Sequence, residues 1–335
     1  MVASAANPIY TVHVVTKTRS YNVTSLLIDM DIRESKNQIA QSVTLNLYNH
    51  MVEGTWLSNI IKVRDRVVVL ANDGTQSQEV FRGFIWDRDY HSSLSNREIS
   101  LKCYDNLIYL QKSEINEFFE GGKTTREIVQ TLCDDWGIKL VYSYDSITHE
   151  KLVLRGNLAD ILTSDILDIV KDRSGHKYSI TSYKDVITIK RVTLNKAIYR
   201  IVAGKNVIST KSHNTMDGVV TKIVIYGKAG KDDRPNVDAT LSENTDEYGT
   251  IQKIISRSEN ETIEAATEEA QNILDNNSVP KNTYEVQAPD IPWIRKGDMV
   301  FVDAGDIKGK YLIVTDVDRF LSSREKKMTL GLEDR

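Results

Sequence analysis

The sequence predicts a mainly β protein with an α+β insertion, two antiparallel β-barrels flanking a small α/β domain. Three observations carry this. The first hundred residues alternate apolar and polar side chains in short runs punctuated by turn residues. Between about residues 125 and 175 apolar side chains fall instead at helical spacing, and from about residue 200 short alternating runs return. The implied domains are 1–110, 111–199 and 200–335, a division that suits a chain of 335 residues.

In the first part, residues 42–48 alternate strictly, so Val43, Leu45 and Leu47 share one strand face and Thr44 and Asn46 the other. Runs of the same kind cover 10–15, 26–32, 66–71, 79–86 and 97–104. Between two of them Asn72-Asp73-Gly74 supplies the tolerance of positive φ that a hairpin turn needs. Six such strands suit a small barrel.

The middle part predicts a helix from Thr125 to Gly137, with Ile128, Val129, Leu132 and Trp136 on one stripe, a threonine at its start and a glycine at its end. The stretch from Thr163 to Gly175 repeats the pattern 38 residues later, with Ile166, Ile169 and Val170 apolar. Each helix runs into a β-like segment, 138–142 and 177–181, and the second is followed by 186–190 after Tyr183-Lys184-Asp185. A duplicated helix-strand module that buries its stripes against its own strands is expected.

The last part predicts strands at 219–226, 298–302 and 311–317, the last with Tyr311, Ile313, Thr315 and Val317 on one face. One helix, capped by Thr262, carries Ile263, Ala266, Ala270, Ile273 and Leu274 on its apolar stripe. Residues 228–247 read as an exposed loop.

Composition narrows the function. The net charge of −4 divides into 0 for residues 1–110, +1 for 111–200 and −5 for 201–335. No segment is basic enough to neutralise phosphates, which argues against sequence-specific nucleic-acid binding. No apolar run reaches the roughly 18 residues that a bilayer crossing needs, and the start of the chain lacks the pattern of a secretory signal. Two cysteines, Cys103 and Cys133, point to folding in a reducing compartment.

Residues with chemical potential are few. Gly121-Gly122-Lys123-Thr124 imitates the end of a phosphate-binding loop, but Glu117 stands where that loop needs its first glycine. His13, His50, His91, His149, His176 and His213 include no pair at the spacing of a helical zinc site, and the two cysteines lack a CxxC partner. Ser174-Gly175-His176 is better explained by a turn than by a nucleophile. Asp29 with Asp31, Asp87 with Asp89, and Asp316 with Asp318 each place two carboxylates on one strand face, as a glycosidase or a Ca²⁺ site could use. Acids on a strand face also discourage edge pairing, and nothing promotes one pair over another. Tyr104, Tyr109, Tyr142, Tyr144, Tyr178, Tyr183 and Tyr199 are spread through strands and strand ends, so a sugar-stacking surface is weakly signalled. No catalytic, cofactor-binding or metal-ligating residue is assigned.

Four stretches together carry a family resemblance: Ser100 to Leu110, the two Thr…Gly helices, Asp217 to Gly227, and Ile294 to Val302 followed by Gly309 to Val314. In this order the chain resembles the baseplate hub proteins of contractile phage tails and phage-tail-like bacteriocins, the XkdQ/YqbQ-like hubs, with late control protein D and the hub half of type VI secretion VgrG. The resemblance implies two similar tube-type barrels per chain and a homotrimer that adapts a sixfold tail tube to a threefold spike. It also implies tail-tube, tape-measure, spike and baseplate wedge proteins as partners, and cytoplasmic assembly into a tail or extracellular particle. The chain stops at Arg335, so the spike is expected on a separate polypeptide. In the ring, strands near 43–48 and 219–226 are the expected contacts between chains. A cell-wall glycosidase using one aspartate pair, and a cell-surface or carbohydrate-binding module, are the competing functions.

Overall fold

The computed structural model describes residues 7–93, 97–143, 146–195, 197–229, 235–258 and 261–331. Its first β unit contains β1 (Ile9–Val15), β2 (Ser20–Asn22), β3 (Leu27–Ser35), β4 (Gln38–Tyr48), β5 (Met51–Val52), β6 (Thr55–Trp56), β7 (Arg66–Asn72), β8 (Ser77–Ser92) and β9 (Arg97–Tyr104). Two short helices, α1 (Leu57–Ile60) and α2 (Leu107–Gln111), complete it. The long strands pair in the order β3-β4-β9-β8-β7-β1-β2. Alternation puts Val12 and Val14, Val43, Leu45 and Leu47, and Ile99, Leu101 and Cys103 into one buried core. The β7–β8 hairpin turns at Asn72-Asp73-Gly74 as expected, with Gly74 at φ 84° and its N–H donating to Asn72 Oδ1. All six predicted strands of this part are present.

The middle contains β10 (Glu114–Phe119), α3 (Thr125–Asp135), β11 (Lys139–Ser143), β12 (Leu152–Asn157), α4 (Leu158–Asp160), α5 (Asp168–Ser174), β13 (Tyr178–Tyr183) and β14 (Val186–Arg191). Thr124 and Glu127 close a capping box on α3. The second helix departs from the expected repeat. It starts earlier, at α4, where Asn157 accepts from the Ala159 and Asp160 N–H groups, and a π-helical turn over Ile161–Leu167 leads into α5. Thr163 is therefore inside the helix, donating to Ala159 O, and does not cap it. Gly175 ends α5 in the left-handed region, as predicted. Nor do these helices bury only against their own strands: Ile128, Leu132 and Ile166 share a core with Ile39 and Ala40 of β4 and with Leu107 and Leu110 of α2. The α/β part is rooted in the first β unit.

The last part contains β15 (Tyr199–Val202), β16 (Ser209–Thr215), β17 (Lys222–Ala229), β18 (Pro235–Ser242), α6 (Thr245–Tyr248), β19 (Gln252–Ser256), α7 (Ile263–Asn277), β20 (Lys281–Pro289), β21 (Met299–Ala304), β22 (Ile307–Phe320) and β23 (Glu325–Gly331). Strands β16-β20-β23-β22 pair in that order, β21 pairs β22 and β15, and their inner faces enclose a second core that includes Val286, Val302, Leu312 and Leu330. The strand expected at 219–226 is not in this sheet. It is β17, the centre of a separate sheet β18-β17-β19, on which α7 lays Ala266, Ala270, Ile273 and Leu274. The expected loop at 228–247 is largely β18 and α6, and residues 230–234 lie outside the described residues. On β22 a bulge between Val314 and Asp316 splits the predicted face: Tyr311 is exposed, whereas Val317 is buried.

The two β units meet edge to edge. The end of β22 pairs antiparallel with β3, Val317 opposite Glu34 and Phe320 opposite Asp31, so strands of both units form one sheet. Strand β4 lies between β3 and β9 and β17 between β18 and β19, which leaves neither strand expected at chain contacts with a spare edge. The large sheet branches at β22, and its ends are β16, β15 and β2.

Candidate functional site

The aspartate pairs on β3 and β22 are brought side by side by the seam, while Asp87 and Asp89 lie on β8. Asp318 pairs with Arg33 at 2.7 Å across the two strands. Asp316 accepts from Ser35 Oγ at 2.8 Å and from the Lys36 N–H at 3.1 Å, and Asp29 accepts from the Ser322 N–H at 3.2 Å. Burial, with the neighbouring charges of Asp29 and Asp318, raises the Asp31 carboxyl. These acids stitch β3 to β22. Among the described residues no group of three or more His, Cys, Asp or Glu side chains could hold a metal ion.

The other motifs resolve into local structure. Gly122 turns at φ 93° and donates to His149 O, and Thr124 caps α3. His149 is buried with Nε2 2.7 Å from Thr125 Oγ1, and burial, aided by Arg173, lowers it to about 4. Ser174 Oγ accepts from the His176 N–H within a turn. Cys103 and Cys133 are free and buried. Tyr104 and Tyr109 pack edge-on against Trp86, and Tyr144 lies outside the described residues.

The dense polar chemistry lies where sequence reasoning assigned none, at the junction of the two β units. Between β20 and β21 the chain folds back as Asp290-Ile291-Pro292-Trp293-Ile294-Arg295-Lys296-Gly297-Asp298. Ile291 and Ile294 enter the second core, and the Trp293 ring packs against both cores while its Nε1–H donates to Asp73 Oδ2 at 2.6 Å. Arg295 Nε donates to Glu34 Oε1 at 2.7 Å, and its Nη2 lies 3.3 Å from Gln41 Oε1. Lys296 donates through its backbone to Glu34, and through Nζ to Ser35 O at 3.0 Å and Gln38 O at 2.9 Å. Tyr10 donates its hydroxyl to Asp290.

Below this layer lie Arg319 and Lys326, both almost fully buried. Arg319 Nη2 donates to Ile294 O at 2.5 Å, with Asp290 Oδ1 3.7 Å from its Nε. Lys326 Nζ donates to the carbonyls of Ile291 and Ile294, and burial drives its ammonium well below the ordinary lysine range. Burial would raise Glu34, but Arg295 and Arg319 outweigh it and hold the carboxyl low. Asp105 is pushed up to about 7 by burial, although it accepts from the Gln41 and Leu107 N–H groups. A second lock ties the α/β part to the first unit: Asp185, in the β13–β14 turn, pairs with Arg66, and its carbonyl accepts from Asn106 Nδ2.

Buried charges of this kind contribute little net stability but penalise every arrangement in which they are left unpaired. The junction therefore fixes geometry. Its sequence signal was a cluster of Trp, Arg, Lys and Asp beside a strand; its partners Tyr10, Glu34 and Asp73 are more than 200 residues away.

The fold has close counterparts among solved structures. It matches the 43 kDa tail protein of prophage MuSo2 from Shewanella oneidensis with a TM-score of 0.72 at 17% identity, covering 97% of this chain and 99% of that one. A tail protein from Neisseria meningitidis MC58 matches with a TM-score of 0.72 at 14% identity, covering 96% of each chain. Prophage tail protein gp18 from Listeria monocytogenes EGD-e matches with a TM-score of 0.62 at 12% identity, covering 97% of this chain and 95% of that one. No curated protein matches the chain. The resemblance read from the four sequence stretches is borne out by a family model that matches residues 30–333. With nearly its whole length inside that match, the chain belongs to the YQBQ-like family.

Proposed function

We propose that this protein is the baseplate hub of a contractile tail or tail-like particle, a homotrimer that adapts a sixfold tail tube to a threefold spike. Its role is structural rather than catalytic. Tail-tube, tape-measure and baseplate wedge proteins are its further partners, and it is assembled in the bacterial cytoplasm before residing in the particle.

The observation that carries this reading is the junction. A subunit that presents two tube-facing units to one ring must hold them at a fixed angle, and the buried Glu34–Arg295 and Tyr10–Asp290 contacts do that within one chain. The family and the fold shared with prophage tail proteins support the same reading. The edge strands of the large sheet are β16 and β15 in the last part and β2 in the first, so both β units offer an edge to a neighbouring chain, which suits head-to-tail contacts that close a ring.

Electron cryomicroscopy of purified particles tests the proposal. Three copies around the axis, between tube and spike, are expected; six copies would make the chain a tube or wedge component. Release of reducing ends from peptidoglycan, abolished by an Asp→Asn change in one aspartate pair, would favour the glycosidase instead.

A further inference from the structure

A second feature lies apart from the junction network's core. A cleft of about 350 Å³ opens between the β3–β4 turn, the π-helical turn and β13. Its floor is apolar, with Ile39, Leu167, Ile180 and Ile313, and its charged lining comprises Lys36, Lys171, Lys177 and Lys296 against the single carboxylate of Asp168. Ser179, only 7% exposed, lines it too, and its hydroxyl has no hydrogen-bond partner in the protein.

The cleft is built rather than incidental. Lys296 Nζ binds Ser35 O and Gln38 O, which holds the turn that carries Lys36 and Asn37 at the cleft's edge. Gly297 sits at φ 87°, and a Cβ there would lie 2.7 Å from Ser179 Oγ, so only glycine lets the backbone pass this close. The π-helical turn widens the helix where Thr163, Ser164 and Leu167 face the cleft.

We propose that this cleft binds an acidic segment of a protein partner, two or three residues long, whose carboxylates meet the lysines while an apolar side chain rests on the floor. A free phosphate would leave the floor unused. A nucleic acid would want several stacking rings, and Tyr178 is the one aromatic residue in the lining. The assignment rests on this cleft alone and stands apart from the baseplate reading.

Fluorescence anisotropy on the full chain, with a fluorescein-labelled acetyl-Gly-Leu-Glu-Asp-Leu-Gly peptide, tests it. The peptide in which Gln and Asn replace Glu and Asp is expected to bind at least ~10-fold more weakly, and so is the acidic peptide to a Lys36→Glu/Lys177→Glu variant. Both lysines are exposed, and a wild-type circular-dichroism spectrum with a cooperative melt shows that the variant is folded. Equal binding of the neutral peptide, undiminished binding to the charge-reversed variant, or no binding of the acidic peptide would overturn the proposal. Inorganic phosphate that binds as tightly as the peptide would overturn it as well, by showing a simple oxyanion site.

Discussion

Replacing Glu34 by Gln keeps the shape of the junction and removes its central negative charge. Arg295 and Arg319, whose side chains are 19% and 2% exposed, then share a buried space with less counter-charge. Breaking a buried ion pair from one side costs about 3–5 kcal/mol. The lower end applies here, because Arg319 keeps Asp290 within 3.7 Å and Arg295 is partly exposed. A loss of about 3 kcal/mol is a large share of the 5–15 kcal/mol that usually holds a protein together. Urea unfolding followed by far-ultraviolet circular dichroism and by tryptophan fluorescence, to which Trp293 contributes from the junction itself, measures it. Arg295→Met alone should also destabilise, whereas the double variant Glu34→Gln/Arg295→Met should recover at least ~1 kcal/mol relative to the sum of the singles. The sign of the pH dependence follows from the lowered Glu34 carboxyl. Its contribution is complete above the unfolded value near ~4.3 and is lost as pH falls through the folded one, so the acid limb should be shallower in Glu34→Gln. A loss below ~1 kcal/mol, or strictly additive singles, would refute the view that the pair fixes the junction.

Other outcomes follow from the same structure. Asp105 is raised to about 7, so the folded state holds its proton longer than the unfolded one; stability falls as pH rises from ~4 to ~7, and Asp105→Asn should gain more at pH 8 than at pH 5 in thermal melts. Burial raises Cys103 and pushes Cys133 up to about 12, so a thiol-reactive dye should label neither in the native state and both in guanidinium. Excising residues 111–199 would uncover Ile39, Ala40, Leu107 and Leu110, and the shortened protein should be insoluble or bind a hydrophobic dye strongly. Gly297→Ala should cost about 1–3 kcal/mol, read as a lower urea midpoint, because it combines a left-handed φ with a contact at 2.7 Å.

Local pattern reached far into this fold. The predicted strand at 97–104 is β9 to the residue, and Thr124 with Glu127 marks the start of α3. What pattern missed depended on distant partners. The run 219–226 has the alternation of any half-buried strand, and only α7, some forty residues on, decides that it belongs to its own sheet. The bulge on β22 shifted a face that strict alternation kept in phase. The junction was least legible, because Glu34 looks like one more polar position on an alternating strand until Arg295 arrives 261 residues later.

That distance also sets an order of events as the chain is made. Strand β3 leaves the ribosome early, and β22, which covers its outer edge, follows about 285 residues behind it. At ~5–20 residues per second the edge stays open for roughly 15–60 s. An open edge invites pairing with a neighbouring nascent chain, and charged side chains along it oppose that. Asp29, Asp31 and Arg33 occupy those positions on β3. Asp29 and Asp31, which read in the sequence as one candidate catalytic pair, thus oppose pairing of β3 with a foreign strand before β22 is made, and Arg33 then closes the seam with Asp318.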